Sequence, residues 1–553
     1  MTMEPTFEGA APAEESIVTH SSARSVAIRL IPYILAVFFA LWGLRGVTNT
    51  DVGVFDSSRH AMNGAFIHDL VVARQFTSPI EFGKFYYSHY PATSLPFHPP
   101  LFPAIEAVFF SIFGVNVFTA RLTVALAVAV SVVLFYRLVR TTHDSHVISA
   151  ASVLTFFSFP LSQWVANDVM LEFPSLAFAL GALYCLRKID EGYPLRNGLT
   201  FALLAAAAVW TKQTAVFLGL VPFFYVLIAR QWRLLRGLTI WLSSFLFGVM
   251  VIALATLSLP FGGTGVDQLS TDPDVSLTAF LLWRFFYYMR SMTDWFGLLM
   301  AIGIGLAIVL CLVMPRTSKL RVAANDLYLA WAIPAFLLLL RLIPYDLRYL
   351  SLVCPALVVI GYAVLFRLSN LAFSSRFAQY LTLGVAALSL ALNLNTPVSF
   401  LRGPSEAAKH VKSAAPQRVL YCGMTNGSFT FAIRSLESRP ATTVIRCDQL
   451  PEGTFSPAEF ETFAHKYGIN YIVMEHTAIT PRGWHPYWYQ LRDTPTASMV
   501  LEREIPLSSS QDDVNGDLRV YRFTNPSPNP EKILKRFIQK LGAKTDLPLV
   551  DPR

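Results

Sequence analysis

The residues best placed to do chemistry are carboxylates and cations that fall at the ends of long apolar runs. The stretch Asp51-Val-Gly-Val-Phe-Asp56-Ser-Ser-Arg59-His-Ala-Met-Asn-Gly64 follows the first such run. Phe97-His98-Pro99-Pro100-Leu101 comes near the far end of the same loop. Asp168, Lys212 and Arg348-Tyr349 stand at the ends of later runs. Charged groups beside a bilayer are costly to hold, which points to work on a lipid-borne substrate. A carboxylate at a partly dehydrated interface has a raised pKa and becomes a better base near neutral pH. Cations nearby stabilise negative charge on a departing group.

Those residues need a scaffold, and composition supplies one. The chain of 553 residues is 54% hydrophobic and 14% charged, too apolar for a soluble enzyme. Uncharged apolar runs of roughly 17 to 24 residues recur between residues 26 and 396 and then stop. This predicts a polytopic α-helical membrane protein, because helices satisfy their own backbone groups in lipid. The net charge of +8 lies mostly in short loops, the pattern of cytoplasmic loops and not of a nucleic-acid surface.

Arg137 and Arg140; Arg187, Lys188 and Arg196; Arg230, Arg233 and Arg236; Arg316, Lys319 and Arg321; and Arg367 and Arg376 mark five such loops. If all are cytoplasmic, about eleven spans fall near 26–47, 118–138, 145–163, 169–187, 197–211, 214–229, 237–259, 296–314, 326–342, 349–366 and 378–396. Residues 99–113 are apolar but short, and read as a helix lying in the interface. The aromatic segment around Trp283 to Trp295, with Arg284 and Arg290, reads as a second one. Asp51, Asp56, Asp69, His98, Asp168, Lys212, Arg284, Arg290, Asp346 and Arg348 then collect on the external side. Tyr86, Tyr87, His89 and Tyr90 read as interfacial belt residues.

After residue 400 the composition becomes that of a soluble fold. Strands are predicted at 418–423, 442–446, 469–474, 500–505 and 518–523, and helices at 428–435 and from Ser456, where Ser, Pro and then Glu459 signal a helix start. Alternation at this spacing predicts a small α/β domain. The last stretch reads as a short basic amphipathic helix and a loose tail. Cys422-Gly-Met-Thr-Asn-Gly427 lacks a full dinucleotide fingerprint and reads as a plain strand–helix turn. Cys422 and Cys447 can pair if that side is oxidising, while Cys185, Cys311 and Cys354 fall in apolar helices. The first 25 residues do not resemble a cleavable signal peptide.

Asp51-x-Gly-Val-Phe-x(8)-Gly64, His98-Pro-Pro-Leu-Phe and Phe113-Gly-Val-x-x-Phe-x-Ala-Arg121-Leu resemble the GT-C integral-membrane glycosyltransferases, in the branch of the protein O-mannosyltransferases and lipid A aminoarabinose transferases. Asn167-Asp168, Trp210-Thr-Lys212 and Arg348-Tyr349-Leu-x-x-x-x-Pro355 extend the likeness over roughly residues 26 to 400. The resemblance implies a sugar donor carried on a polyprenyl phosphate and a catalytic base at the aspartate of the first loop, here Asp51. That family usually has Glu after this Asp, where Val52 stands. The implied organisation is a flexible cytoplasmic N-terminus (1–25), a GT-C-like transmembrane catalytic domain (26–400) with a long first external loop (48–117), an extracytoplasmic α/β domain (401–525) and a tail (526–553).

Asp51 and Asp168 then supply the base and position the acceptor, while His98, Lys212 and Arg348 hold the donor phosphate, arginine with two-pronged contacts. Asp56, Arg59, Tyr349 and Arg284 are candidate substrate contacts. The expected partners are the lipid-linked donor, the membrane, and a protein, lipid or glycan acceptor, with no nucleic acid. No spacing is diagnostic of a metal site, although carboxylates for a divalent ion are at hand.

Each residue also has a structural reading. Asp51 caps the helix that starts near Val54, and Asp56 pairs with Arg59 one turn on. His98 shapes a turn, Asp168 caps the following span, Lys212 snorkels from a helix end and Arg348 anchors at the interface. A transporter or flippase is the competing function, disfavoured because the charged residues cluster at one face and no repeat relates the halves. A membrane-anchored scaffold would not need so many spans.

Overall fold

The structure, a computed structural model, describes residues 15–95, 97–189, 193–258, 276–296, 298–315, 317–342, 346–412, 417–450, 456–477, 487–531, 534–540 and 543–548. A helix lies over every apolar segment read from the sequence, from Glu15–Gly43 to Ser375–Asn393. Five described helices are long and apolar enough to cross a membrane, or six if the pair His146–Ser158 and Pro160–Ala166, bent by 68°, is one span. The bend falls where Pro160 cannot donate to the preceding turn. Asn116, Ser145 and Ser374 cap their helices by accepting from the backbone N–H three residues on, which satisfies one orphan donor each.

The segment expected at 214–229 is not one regular helix. It starts as a 3-10 turn, Gln213–Gly219, and becomes α-helical at Val221–Ala229. The expected interfacial segment at 99–113 is the helix Leu101–Phe113, packed on Asp56–Val72. Gly64 permits that approach, since a Cβ there would sit 2.2 Å from Glu106 Oε2. The aromatic segment around Trp283 belongs to a longer helix, Leu277–Phe296.

Beyond residue 400 the chain builds a six-stranded sheet from β1 (Leu401–Arg402), β2 (Arg418–Cys422), β3 (Thr443–Arg446), β4 (Tyr471–Thr477), β5 (Met499–Ser509) and β6 (Gly516–Phe523). Its order is β1-β5-β6-β4-β2-β3. β2 pairs in parallel with β3 and β4, and the other pairs are antiparallel. The parallel strands need crossovers, supplied by helices Asn426–Leu436 and Pro457–Lys466. The second opens on a full capping box between Ser456 and Glu459, which closes two orphan donors at once. Cys422 and Cys447, at the ends of β2 and β3, form a disulfide with Cα atoms 5.0 Å apart.

One face of this sheet shares a single core with the first loop. Val52, Ala61, Phe102 and Phe110 pack in one cluster with Val419, Phe431, Val473 and Leu518. The boundary near residue 400 therefore marks a change of composition and not a break in packing. The sequence expectation of a basic helix after residue 526 is corrected: Leu534–Lys540 (β7) and Ala543–Pro548 (β8) form an antiparallel hairpin. The first 14 residues and 549–553 lie outside the described residues, as do parts of the expected N-terminal and tail segments.

Candidate functional site

The site is assembled where four chain segments end. Helix Asp56–Val72 starts directly after Phe55, whose φ of 56° and ψ of −117° are costly for a residue with a side chain. That sharp entry presents Asp56 to the guanidinium of Arg348, whose Nη2 donates to Asp56 Oδ2 at 2.6 Å. Arg348 lies in the 3-10 turn Leu347–Leu352, capped by Asp346, which accepts from the Arg348 N–H at 3.0 Å. Asp346 Oδ2 also lies 2.7 Å from Arg348 Nε.

A third carboxylate completes the cluster. Glu172, at the start of helix Glu172–Arg187 and only 1% exposed, accepts from Lys212 Nζ at 2.5 Å and stands 3.7 Å from Arg348 Nε. Lys212 is the first residue past helix Pro194–Thr211. Its ammonium lies 5.0 Å from the centre of the Tyr349 ring, and the Arg348 guanidinium 5.7 Å, so both cations meet one aromatic ring. Sequence reasoning missed Glu172. Its one signal was a lone acidic residue four positions after Asp168, opening an otherwise apolar helix.

Asp168 faces the same space from the opposite wall. It accepts from Ser57 Oγ, from the Val169 N–H at 2.8 Å and from the Gly53 N–H at 3.4 Å. A Cβ at residue 53 would lie 2.1 Å from Asp168 Oδ2, so glycine is what lets this carboxylate dock on the loop. Asp56, Ser57, Asp168, Asp346 and Arg348 line a cavity of about 290 Å³ whose remaining wall includes Ser399–Leu401 and Ser509–Gln511 of the α/β fold.

Electrostatics divide the candidates. Burial alone would push Asp56 up, but Arg348 outweighs it and holds the carboxyl well below its usual range. Burial pushes His98 down to about 4, against the pull of Asp56. Its ring meets that of His60, also pushed down by burial, edge to face at 4.6 Å. His98 is thus a neutral hydrogen-bonding group near pH 7 and not a cation for phosphate. Burial also pushes the Lys212 ammonium down, and Glu172 pulls it back up.

Asp51 stands apart from this cluster. Its N–H donates to Leu401 O at 2.7 Å and its carboxylate accepts from the Ser405 N–H at 3.1 Å, in the first turn of helix Pro404–Val411. It is buried, which pushes its pKa up despite the Ser405 bonds. Asp51, expected as the base, caps a helix of the α/β fold, where an anion meets the positive end of the dipole, and it is not in the lining of the cavity. The expected pairing of Asp56 with Arg59 is likewise replaced by Asp56 with Arg348. Arg59, one turn on, is exposed and lies in the field of Arg446, Asp56 and Asp448 without an ion pair to Asp56. Arg284 is buried on its own helix over Phe280 and Trp283, at 4.9 and 5.1 Å, and does not line the cavity.

Among the described residues no three His, Cys, Asp or Glu side chains gather as a metal site. The carboxylates of the cavity are instead taken by arginine, serine and backbone N–H groups. This donor set does not fit a resident divalent ion.

Residues 97–257 match the family model for dolichyl-phosphate-mannose-protein mannosyltransferase. The chain has the fold of GT-C membrane glycosyltransferases. It superposes on ArnT from Cupriavidus metallidurans in the apo state with a TM-score of 0.56 at 16% identity, over 93% of this chain and 100% of that one. ArnT from the same organism bound to undecaprenyl phosphate gives 0.55 at 15% identity, over 94% and 100%. The Archaeoglobus fulgidus oligosaccharyltransferase tethered to an acceptor peptide gives 0.51 at 12%, over 89% and 76%. No curated protein matches the chain.

Proposed function

We propose that the protein transfers a sugar from a polyprenyl-phosphate carrier to an acceptor at the outer face of the cytoplasmic membrane. The observation that carries this reading is the cavity itself, which gathers Asp56, Asp168 and Arg348 in its lining. The GT-C fold and the undecaprenyl phosphate in ArnT point to the same class of donor. About eleven crossings, with basic loops inside and the α/β fold outside, account for the charge pattern. The disulfide Cys422–Cys447 supports an oxidising, extracytoplasmic location for that fold.

In this reading Arg348 and Lys212 receive the donor phosphate and His98 adds a neutral hydrogen bond. The acceptor oxygen or nitrogen attacks the anomeric carbon from the face opposite the phosphate. A new bond forms to the sugar, the anomeric carbon–oxygen bond breaks, and its electron pair leaves on the lipid phosphate. Asp56 takes the acceptor proton, and Asp168, fixed by Ser57, orients the acceptor. The result is inversion without a covalent enzyme intermediate. Arg348 neutralises Asp56 before the donor binds. Once the phosphate draws Arg348 away, Asp56 regains basicity because burial then acts unopposed.

The test is turnover of a panel of polyprenyl-phosphate sugars by the purified protein in lipid, beside Asp56→Asn. Consumption of one donor by the wild type alone supports the reading. A panel left untouched by both proteins overturns it.

A further inference from the structure

The two cations assigned to the donor phosphate share one buried counter-ion. We propose that Glu172 is a positioning residue: it holds Lys212 beside Arg348 at the edge of the cavity, so that a lipid phosphate meets a preformed pair of cations. This rests on the functional reading above.

The geometry argues for a support rather than a substrate contact. Glu172 is fully enclosed and is not in the lining of the cavity, yet its Oε1 reaches both cations, at 2.5 Å from Lys212 Nζ and 3.7 Å from Arg348 Nε. Its second oxygen has no hydrogen-bond partner among the described residues. Arg348 gives Nη2 to Asp56 and holds Nε against Asp346, which leaves further guanidinium N–H groups for a second anion. Two cations gathered at one aromatic ring repel each other. A buried carboxylate between them removes that cost while leaving their outer N–H groups free.

Lys212 depends most on this support. Around it stand Glu172 from the helix Glu172–Arg187, Asp56, His60 and His98 from the first loop, and Arg348 with Tyr349 from the turn at 347–352. Arg348 opposes its charge and Asp56 is committed to Arg348, which leaves Glu172 as the principal group favouring the ammonium. Without it, burial drives a lysine toward the neutral form.

The experiment measures the Kd of undecaprenyl phosphate, without any sugar, for the full chain in lipid nanodiscs between about pH 6 and pH 10. Glu172→Gln is compared with Glu172→Asp and the wild type. The expected result for Glu172→Gln is binding weakened roughly tenfold or more at neutral pH, with the alkaline loss of binding moved toward neutrality by about one pH unit. Glu172→Asp keeps the wild-type pH dependence with binding weakened only a few-fold. If Glu172→Gln does not fold, Glu172→Asp alone decides, because unchanged affinity there overturns the proposal. Unchanged or tighter binding by Glu172→Gln overturns it too, as does weaker binding with an unmoved pH limb, the mark of a purely structural role. No binding by the wild type also overturns it. Binding without turnover of any donor would sink the transferase reading alone.

Discussion

Arg434 grips Asp69 with two nitrogens, Nε at 2.6 Å and Nη2 closer still, across the junction between the α/β fold and the first-loop helix. Both side chains are nearly closed to solvent. Burial pushes the Asp69 carboxyl up, and the Arg434 guanidinium and His68 more than reverse this. The pair ties the α/β fold, which carries the cavity wall at Ser509–Gln511, to the helix that opens with Asp56.

Asp69→Asn leaves Arg434 buried without its counter-charge and is expected to cost about 3–5 kcal/mol, measured as lost resistance to denaturant. The pH dependence follows the same logic. A carboxyl whose folded pKa is depressed contributes stability that is present above about pH 4 and lost as pH falls through the folded value. The wild type should therefore lose stability on acidification more steeply than Asp69→Asn. Equal acid sensitivity in the two proteins would show that this pair does not join the halves.

The two first-loop aspartates should part company under mutation. Asp56→Asn removes the proton acceptor and is expected to lower transfer by about two to four orders of magnitude with little change in donor affinity. Asp51→Asn keeps an oxygen for the Ser405 N–H. It should cost less than about 1 kcal/mol of stability and leave transfer per folded molecule within about threefold. Loss of turnover in a well-folded Asp51→Asn protein would return the base to Asp51.

That contrast shows how far the sequence alone could be read. Apolar runs located the helices because backbone satisfaction in lipid leaves few alternatives, and alternating patterns located five of the strands in the soluble fold. Asp56, Asp168, Lys212 and Arg348 were all in view because charged residues at helix ends are conspicuous. Their pairings were not. Asp51 and Asp56 have the same chemistry in the same loop, and only the return of the chain at Leu401 and Ser405 claims one of them as a cap. Glu172 looked like the first residue of a helix, because its partners lie 40 and 176 positions away. β1 is two residues long and carries no pattern of its own. The hairpin β7–β8 replaced an expected amphipathic helix, and its side-chain spacing had fitted either.

The pH profile of kcat/KM tests the electrostatics of the free enzyme. Asp56 is held low by Arg348 and His98 is pushed to about 4, so neither changes charge between about pH 5.5 and 7.5. The profile should be flat there. In Arg348→Gln the buried Asp56 loses its partner, and its pKa rises by the desolvation that remains. The residual activity of that variant should then fall as pH drops through the window, because the base becomes protonated. A wild-type inflection in this range that vanishes in His98→Gln would contradict the assignment of His98 as neutral.

Gly53 offers the sharpest test of the cavity wall, because its effect passes through one neighbour. In Gly53→Ala the new methyl would fall 2.1 Å from Asp168 Oδ2 and 2.9 Å from its Cγ, closer than any atoms can remain. Either the loop or the carboxylate has to move, and Asp168 is the end of a side chain while the loop is sewn to β1 through Thr50 and Asp51. Asp168 should swing away from Ser57 and the Gly53 N–H, and the acceptor loses its guide. A displacement of this size at a positioning group costs on the order of 100-fold in rate, with donor binding spared because Arg348 and Lys212 are untouched. Gly248→Ala is the control. A Cβ there meets nothing within 4 Å, and alanine favours the helix by about 1 kcal/mol or less. Equal activity in the two variants would mean that Asp168 does not work from the place it occupies against residue 53.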